Sequence, residues 1–459
     1  MRSRIYLWRV GGLVLALALV SHFAVAEAGV VGAPSMEPAS TYYFAEGSTQ
    51  PPFDTWFLVQ NPTGNATTAT FTFQLEGGAI QTHTVNVGAN TRVSIFANQI
   101  LPNAAFSTRV DSPGDIFVER SMFVGFDGSD ITGIPAPSKQ WLFAEGATVS
   151  PFHTWVLIQN PNPVPANTTI TYMLPNEPPV VQALGALAPT SRTSIFMNQL
   201  LPDKEFSIKV DSDQPVVAER SMFRFPGNAA TTAAGVTAPD NRWLFAEGSS
   251  LQSPMPFDTF LLLQNPNPID SPVTISLYDQ TGKQTTLQQT LPSNSRQTIF
   301  LNSVLPNSSF DIVVDSQQPI VAERSMYFGL EPRGATASPG STALAKEWNL
   351  PEGSTQPPFT EVIAIFSFNP EPDTARIDFQ LESGQVITHN FQTCPLCKLS
   401  VNVNDLIPGN ALSAKVTTKL PTVVERTMYF QKLDSTGGTN AAGILNPATI
   451  PPAAAPLPK

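Results

Sequence analysis

A fourfold internal repeat of about 100 residues is the feature that most constrains how this chain folds. Each copy opens on an aromatic residue and a Glu-Gly turn, and the turn glutamates Glu46, Glu145, Glu247 and Glu352 are 99, 102 and 105 residues apart. Every copy also carries four further motifs. A Pro-Phe step lies at Phe53, Phe152, Phe257 and Phe359, and an Asn-Pro pair at Asn61, Asn160, Asn265 and Asn369. An Ile/Leu-Pro pair lies at Pro102, Pro202, Pro306 and Pro408, and a closing Glu-Arg-Ser/Thr-Met motif begins at Glu119, Glu219, Glu323 and Glu425. A period this long suits a complete small domain rather than a solenoid repeat.

The pattern within one copy predicts an all-β fold. Proline occurs 44 times and interrupts every long run, while short runs rich in Val, Ile, Thr and Phe alternate with polar residues. Seven short strands in about 100 residues are typical of an immunoglobulin-like β-sandwich. In the second copy the predicted strands cover residues 141–144, 152–159, 168–174, 180–184, 192–197, 206–210 and 216–223.

The predicted organisation is therefore four tandem immunoglobulin-like β-sandwich modules after an N-terminal signal segment. We expect a signal peptide at 1–26, a linker at 27–40, modules at 41–138, 139–240, 241–345 and 346–447, and a Pro/Ala-rich disordered tail at 448–459. Segments 125–139, 226–241 and 331–346 are rich in Gly, Ala, Ser, Thr and Pro, which predicts partly stiff linkers between modules. The expected shape is a rod or a string of beads.

The N-terminus has the composition of a secretory signal. Arg2, Arg4 and Arg9 precede an apolar run over residues 10–20, and Ala24-Val25-Ala26 fits a small-x-small cleavage site. Either cleavage after Ala26 or retention as an uncleaved anchor agrees with this pattern. We expect the protein to be secreted or held at the cell surface, with no other membrane-inserted segment.

The charge of the chain excludes some partners. The formal net charge is −11, and an acidic protein is repelled by phosphate backbones and by anionic membrane surfaces. Nucleic acid is therefore not an expected partner.

The combination Trp-x-Phe-Ala-Glu-Gly, Gln-Asn-Pro and Val-x-Glu-Arg-Ser-Met resembles a tandem repeat of exported bacterial surface proteins. The resemblance covers residues 41–447 and implies tandem immunoglobulin-like β-sandwich repeats at the cell surface, without implying a particular activity. The fourth copy departs from the pattern, because Pro351 stands in place of Ala and Val362 stands where the first two copies have Trp56 and Trp155.

The repeated charged residues are predicted to form structural ion pairs. Paired carboxylates such as Glu145 and Glu219 could cleave glycosides, but four active sites in one chain would be unusual. In a strand, neighbouring Glu and Arg point to opposite faces, so one of them lies on or near the buried face and needs a partner. The predicted pairs within each copy are Glu46 with Arg120, Glu145 with Arg220, Glu247 with Arg324 and Glu352 with Arg426. A carbohydrate-binding Arg is the alternative.

A second charged pattern has two interpretations. Arg92, Arg192 and Arg296 open the fifth strand and Asp111, Asp211 and Asp315 close the sixth, while the fourth copy has Lys398 and Thr417 instead. The joint change suits an ion pair. Alternatively, the Asp accepts hydrogen bonds within its own turn and the Arg is a solvated strand end.

The two cysteines, Cys394 and Cys397, could form a redox dithiol, half of a metal site or a local disulfide. Their position between strands, with only His389 nearby, favours the disulfide.

No other sequence pattern indicates a catalytic or binding site. His22, His83, His153 and His389 form no recurring triad. Most tryptophans, including Trp141, Trp155 and Trp243, are expected in the core.

We therefore predict a non-catalytic exported or cell-surface scaffold or adhesion protein. Its alternative function is carbohydrate binding through loops at one end of the sandwiches. The expected partner is a cell-surface glycan or another surface protein. We predict no catalytic residue, no cofactor and no metal site.

Overall fold

The computed structural model describes residues 39–175, 177–224, 229–330, 333–432 and 435–445. The predicted signal peptide, most of the linker at 27–40 and the predicted tail lie outside these residues. The described chain is all-β, as the sequence predicts, and its strands form several antiparallel sheets. We call the four sequence copies repeat 1 to repeat 4.

Repeat 1 shows the strand order that the other repeats follow. Its strands are β1 (Ser40–Phe44), β2 (Phe53–Asn61), β3 (Thr67–Leu75), β4 (Ile80–Val87), β5 (Thr91–Phe96), β6 (Phe106–Ser112), β7 (Phe117–Val124) and β8 (Asp127–Thr132). They form two antiparallel sheets, ordered β1-β6-β3-β4 and β5-β2-β7-β8.

The remaining repeats keep this order, but their sixth and seventh strands are fused into one long strand that takes part in both sheets. Repeat 2 has β9 (Ser138–Phe143), β10 (Phe152–Asn160), β11 (Ala166–Leu174), β12 (Glu177–Leu187), β13 (Ser191–Phe196), β14 (Ser207–Arg224) and β15 (Ala229–Ala234). Repeat 3 has β16 (Asp240–Phe245), β17 (Phe257–Asn265), β18 (Ser271–Asp279), β19 (Gln284–Leu291), β20 (Ser295–Phe300), β21 (Phe310–Phe328) and β22 (Gly334–Pro339). Repeat 4 has β23 (Ala345–Leu350), β24 (Phe359–Ser367), β25 (Thr374–Leu381), β26 (Val386–Gln392), β27 (Cys397–Asn402), β28 (Leu412–Lys432), β29 (Ser435–Ala442) and β30 (Ile444–Leu445).

Among the described residues, helical structure is limited to single turns after the fifth strand. They are α1 (Ala97–Ile100), α2 (Met197–Leu200) and two 3₁₀ turns at Leu301–Ser303 and Val403–Asp405.

Period-two alternation explains where the core of each repeat lies. In β3, Ala69, Phe71 and Phe73 are fully buried and the threonines between them are half-buried. By contrast, β4 is an edge strand with mainly exposed polar residues. The apolar cluster of repeat 1 joins Phe57 and Val59 of one sheet to the β3 residues of the other. Both sheets thus contribute to one apolar core.

The Asn-Pro pairs end the second strand in repeats 1–3. Asn61 Nδ2 donates to the carbonyl oxygens of Asn65 and Gly88, each at 2.8 Å, and so ties the strand end to the following loop. In repeat 4, Ser367 occupies this strand position. Asn369 instead donates to the Pro421 carbonyl at 2.8 Å, which is the contact that Asn162 makes with Pro215 in repeat 2.

The prediction of linkers at 125–139, 226–241 and 331–346 is wrong. These segments contain β8, β15 and β22, and repeat 4 has the corresponding β29; each is an eighth strand paired with the strand that carries Glu-Arg. Small residues such as Ala, Gly, Ser and Thr suggested loops, but here they let neighbouring strands approach closely. A Cβ on Gly437, for example, would lie 2.2 Å from the Phe126 carbonyl oxygen.

The rod or bead arrangement is also wrong. The four eighth strands contact one another in cyclic order, β8 with β15, β15 with β22, β22 with β29, and β29 with β8. Repeat 4 therefore packs against repeat 1, and the described residues form one compact unit. Strand pairing among the described residues stays within each repeat, so repeats meet through side chains and loops.

Candidate functional site

The four Arg residues of the closing motif form the centre of a buried network between repeats. Arg120, Arg220, Arg324 and Arg426 are each 0% exposed. Each guanidinium bonds to the closing-motif Glu of the next repeat, and repeat 4 bonds back to repeat 1. The distances are 2.8 Å from Arg120 to Glu219, 2.6 Å from Arg220 to Glu323, 2.7 Å from Arg324 to Glu425 and 3.0 Å from Arg426 to Glu119.

The alternation of side chains along a strand determines the face on which each of these charged groups lies. In β14, Arg220 points towards its own repeat, where its Nη1 donates to the Glu145 carbonyl at 2.9 Å. Glu219 points to the opposite face, which packs on repeat 1. Both faces of this strand are buried, so both charges need partners, whereas the sequence pattern required a partner for only one.

The turn before the second strand supplies a backbone donor to the same carboxylates. The amides of Ala45, Ala144 and Ala246 donate to Glu219, Glu323 and Glu425 at 2.6, 2.9 and 2.8 Å. Pro351 occupies this position in repeat 4 and has no N–H. The next amide, that of Glu352, donates to Glu119 at 3.1 Å instead.

The predicted pairs within each repeat are formed to different extents. Glu145 lies 2.9 Å from Arg220, Glu46 lies 3.7 Å from Arg120, and Glu352 lies 4.0 Å from Arg426. Glu247 does not pair with Arg324 among the described residues. Its carboxylate accepts from the Tyr429 hydroxyl at 2.8 Å and from Thr427 of repeat 4.

The turn glutamates also reach across to the next repeat. Glu46 accepts from the Ser221 hydroxyl, and Glu145 accepts from Ser325 at 2.7 Å. The sequence analysis paired charges only within a copy and therefore missed the links between copies. Glu, Arg and Ser/Thr recur at the same positions in all four copies, and this recurrence indicates that the residues bond to one another. It does not show which copy supplies the partner.

Burial and pairing act in opposite directions on these carboxyls. Burial raises the pKa of Glu219, and Arg120 opposes the rise; burial likewise raises the pKa of Glu323 against the effect of Arg220. The glycosidase alternative needs two carboxylates open to a substrate. Glu145 is 7% exposed and Glu219 is 0% exposed, and both are already bound to protein groups.

Asp127 is a central residue that the sequence analysis did not single out. Its carboxylate is 2% exposed and accepts from the backbone amides of Ala230, Ala335 and Gly438, at 2.9, 3.0 and 2.8 Å. These donors belong to repeats 2, 3 and 4. Burial raises the pKa of Asp127 to about 8, although the amide hydrogen bonds oppose the rise. One carboxyl group of repeat 1 thus links all four repeats, and no repeated motif could have revealed it because the other copies have Ala or Gly there.

The Arg residues of the fifth strand contact a neighbouring repeat, so both interpretations of that pattern are wrong. Arg92 is 4% exposed and donates to the Gly353 and Leu412 carbonyls of repeat 4, at 2.7 and 2.6 Å. The Asp residues have other partners, Arg109 for Asp111, Lys209 for Asp211 and Arg242 for Asp315. Arg192 reaches the Gly47 carbonyl of repeat 1 and Arg296 reaches Glu205 of repeat 2.

Aromatic rings repeat the same cyclic arrangement. The second-strand Phe of each repeat contacts an aromatic ring of the next repeat, and Phe359 of repeat 4 contacts Phe123 of repeat 1 with ring centroids 6.1 Å apart. The other three contacts join Phe53 to Phe223, Phe152 to Tyr327 and Phe257 to Tyr429.

The remaining candidate residues, the two cysteines and the tryptophans, make contacts within the protein. Cys394 and Cys397 are joined in a disulfide. Trp141 and Trp243 are buried, and their indole N–H groups donate to carbonyl oxygens at 2.8 Å. Trp155, expected in the core, is only half-buried and stacks on Phe196.

Metal-ligating side chains do not cluster in the described part of the chain. There, His, Cys, Asp and Glu form no group of three or more that could hold a metal ion. His83, His153 and His389 lie in this part, and His22 lies outside it. Within the same residues, no helix has the length and apolar character needed to cross a membrane.

Comparisons with known proteins give only distant resemblances. No family model and no curated protein matches the chain. The chain is similar to a solved structure of Thermotoga maritima protein 1070, with 22% identity, coverage of 22% of this chain and 94% of that chain, and a TM-score of 0.21. It is also similar to a tetra-tandem repeat from the extending region of a large adhesion protein, with 11% identity, coverage of 89% and 99%, and a TM-score of 0.12. A Streptomyces avermitilis α-L-rhamnosidase bound to L-rhamnose shows 8% identity, coverage of 82% and 57%, and a TM-score of 0.14. At these TM-scores none of the three establishes a shared fold or function.

Proposed function

We propose that this chain is an exported, non-catalytic scaffold or adhesion protein of the cell surface, built from four immunoglobulin-like β-sandwich repeats. The paired sheets of each repeat and their shared core support the sandwich architecture. The pattern at residues 1–26 supports export.

The observation that carries the proposal is that the repeated ionisable residues are buried and bond to neighbouring repeats. Glu219 and Arg220 are adjacent in sequence and fully buried, and they bond to two different neighbouring repeats. Side chains fixed in this way hold repeats together and are closed to a substrate. Edge strands such as β4 and β19 expose mainly polar side chains, which suit display or contact.

Cell fractionation with surface labelling tests the location. We expect labelling of the protein on intact cells. For a cleaved signal, the mature chain should begin at Glu27. Retention in the cytosol with the leader intact would contradict export.

A hydrolysis assay tests the non-catalytic part of the proposal. We expect no turnover of polysaccharides by the purified chain. Hydrolysis that is abolished by Glu145→Gln would overturn it.

Carbohydrate binding is the second candidate, and half-buried aromatic pairs favour it. Trp56 stacks on Phe96 with centroids 4.5 Å apart, and Trp155 stacks on Phe196 at 4.6 Å. In repeat 3, Phe260 and Phe300 are 5.0 Å apart, and Phe300 is 40% exposed. Exposed aromatic faces can pack on the apolar face of a sugar ring.

Repeat 4 supplies a matched control for this candidate, because Val362 pairs with Asn402 at the same position. A glycan array should show binding that weakens in Trp56→Ala and Trp155→Ala variants and is unchanged in Val362→Ala. Equal weakening in all three variants, or no binding at all, would remove this candidate.

A further inference from the structure

The junction between repeat 4 and repeat 1 is the one that the chain does not bridge covalently. We call it the closing junction and define it by six ionisable residues, which are Arg92, Glu119 and Asp130 of repeat 1 and Glu352, Glu361 and Arg426 of repeat 4. Each is at most 7% exposed. Arg426 bonds to Glu119 at 3.0 Å and to Asp130 at 2.9 Å, so these groups form one cluster.

Two of these acids have no counterpart in the other repeats. Strand register aligns Glu361 with Thr55 of repeat 1 and Asp130 with Thr232 of repeat 2. Repeats 2 and 3 have Thr at the position of Glu361, and repeats 3 and 4 have Ala and Asn at the position of Asp130. The closing junction thus holds four carboxyl groups against two guanidinium groups.

The junction between repeats 1 and 2 is balanced by comparison. It holds the carboxyl groups of Glu46 and Glu219 and the guanidinium groups of Arg120 and Arg192. The equivalent charged positions are all occupied, and among the described residues the further acid that acts on Arg192 is Glu76, which is exposed. The closing junction therefore has two more carboxyl groups than guanidinium groups, whereas the junction between repeats 1 and 2 has equal numbers. A smaller excess occurs between repeats 3 and 4, where the buried Asp311 of repeat 3 interacts with Lys398 of repeat 4.

Several carboxyl oxygens of the closing junction lack a close hydrogen-bond partner among the described residues. Both carboxyl oxygens of Glu361 are buried without a hydrogen-bond partner within 3.5 Å among the described residues, and the Ser354 amide interacts with this carboxyl only weakly. One oxygen each of Glu119, Asp130 and Glu352 is buried in the same way. A buried carboxylate without a partner costs several kcal/mol, whereas its protonated form costs much less. Burial raises the pKa of Glu119 to about 7 and that of Glu361 to about 7, with Arg426 opposing each rise. Burial and the neighbouring Asp130 raise the pKa of Glu352 as well.

We propose that the closing junction is a proton-operated latch, which is tight when its surplus carboxyl groups are protonated and loosens when they ionise. Opening the junction exposes these groups to water, where a Glu titrates near its ordinary pKa of 4.5. The closed form holds its protons up to about pH 7 at Glu119 and Glu361, so it binds more protons than the open form between these values. Closure is therefore favoured at acid pH, and it weakens as the pH rises through this window.

The charged groups around Glu361 all belong to the cluster or to its rim. Arg92 and Arg426 stabilise its ionised form and Asp130 destabilises it. Glu382, whose side chain is 48% exposed, lies 3.6 Å from Arg92 at the rim. Glu352 and Glu119 complete the set.

Hydrogen exchange of the intact chain tests the latch, because each junction contains a comparable amide. The Glu352 amide donates to Glu119 across the closing junction, and the Ala144 amide donates to Glu323 across the junction between repeats 2 and 3. That junction holds the buried carboxyl groups of Glu145 and Glu323 against the guanidinium groups of Arg220 and Arg296. Between about pH 5 and about pH 8, after correction for intrinsic exchange, we expect protection of the Glu352 amide to fall at least about tenfold. Protection of the Ala144 amide should change by less than about twofold.

Two substitutions at Glu361 complete the test. Glu361→Gln keeps the volume but cannot ionise, and Glu361→Thr restores the residue of the other repeats. Both should reduce the pH-dependent loss of protection at Glu352 and leave Ala144 unchanged. A fall at Glu352 no larger than that at Ala144 in the wild-type chain would overturn the proposal, whether or not the variants fold. An undiminished fall in a folded Glu361→Gln variant would also overturn it.

Discussion

The interior of each repeat and the junctions between repeats bury side chains equally well but by different chemistry. Ile170 in the core of repeat 2 and Arg220 at its junction are both 0% exposed. The core residue requires only apolar neighbours of suitable size, because apolar burial has no preferred direction. The junction residue requires carboxylates at 2.6 and 2.9 Å from defined nitrogens.

This difference assigns the two regions different roles. Apolar cores account for the folding of each repeat. Buried ion pairs add little net stability relative to apolar packing, but one left without its partner is costly. We therefore attribute to the junction charges the selection of one arrangement of the four repeats.

The largest effect is expected from breaking a junction ion pair. Arg220→Ala leaves Glu323 and Glu145 buried without their cation and should lower the free energy of unfolding by about 3–5 kcal/mol, as measured by urea unfolding. Arg242→Ala is the matched control, because its ion pair with Asp315 is equally short at 2.6 Å but about 40% exposed. The control should cost about 0–1 kcal/mol. Similar losses for both variants would contradict the distinction between buried and exposed pairs.

A core substitution should have a comparable effect on stability but not on arrangement. Ile170→Ala removes a fully buried side chain and should cost about 2–5 kcal/mol through lost burial and the cavity left behind. Hydrogen exchange should show the loss within repeat 2, with the amides of repeat 4 unaffected. Loss of protection in all four repeats would contradict the separate roles of cores and junctions.

Removal of the central carboxyl group should have an effect that reaches all repeats. Asp127→Ala leaves the amides of Ala230, Ala335 and Gly438 without their acceptor, and each loss of a buried partner costs about 1–3 kcal/mol before relaxation. Increased exchange at these three amides is the measurement. Asp115→Ala, at an exposed position of the same repeat, should leave them unchanged.

The smallest effect is expected from the disulfide. Cys394 and Cys397 are three residues apart, and closing so short a loop restricts the unfolded chain little. Replacing both with Ala should lower the free energy of unfolding by about 2 kcal/mol or less and should leave the junction amides protected. A larger loss would assign this loop a role in holding repeat 4 in place.

The sequence predicted the parts that depend on local pattern. Alternation in residues 168–174 places β11, and six further predicted strands of repeat 2 fall on β9 to β14, with the last two fused into one. The eighth strands were missed because Ala229–Ala234 and its counterparts consist of small residues that are typical of loops in a single sequence. Their burial depends on contacts with the other repeats.

The candidate site was recognised by residue type but not by partner. Alternation indicated that one of Glu219 and Arg220 lies on or near the buried face, and repetition in four copies indicated that Arg220 has a carboxylate partner. Repetition could not distinguish a partner in the same copy from one in the next copy, since every copy offers the same residues. Asp127 and Glu361 each occur in one copy only, so repetition pointed away from them.

Closure of repeat 4 on repeat 1 is the central claim, and small-angle X-ray scattering of residues 38–459 tests it most directly. A single compact unit of this size has a radius of gyration of about 22 Å. Four separate 100-residue domains in a line would give roughly 40 Å. We predict the smaller value at acid to neutral pH, and a value near the larger one under these conditions would contradict the closed arrangement.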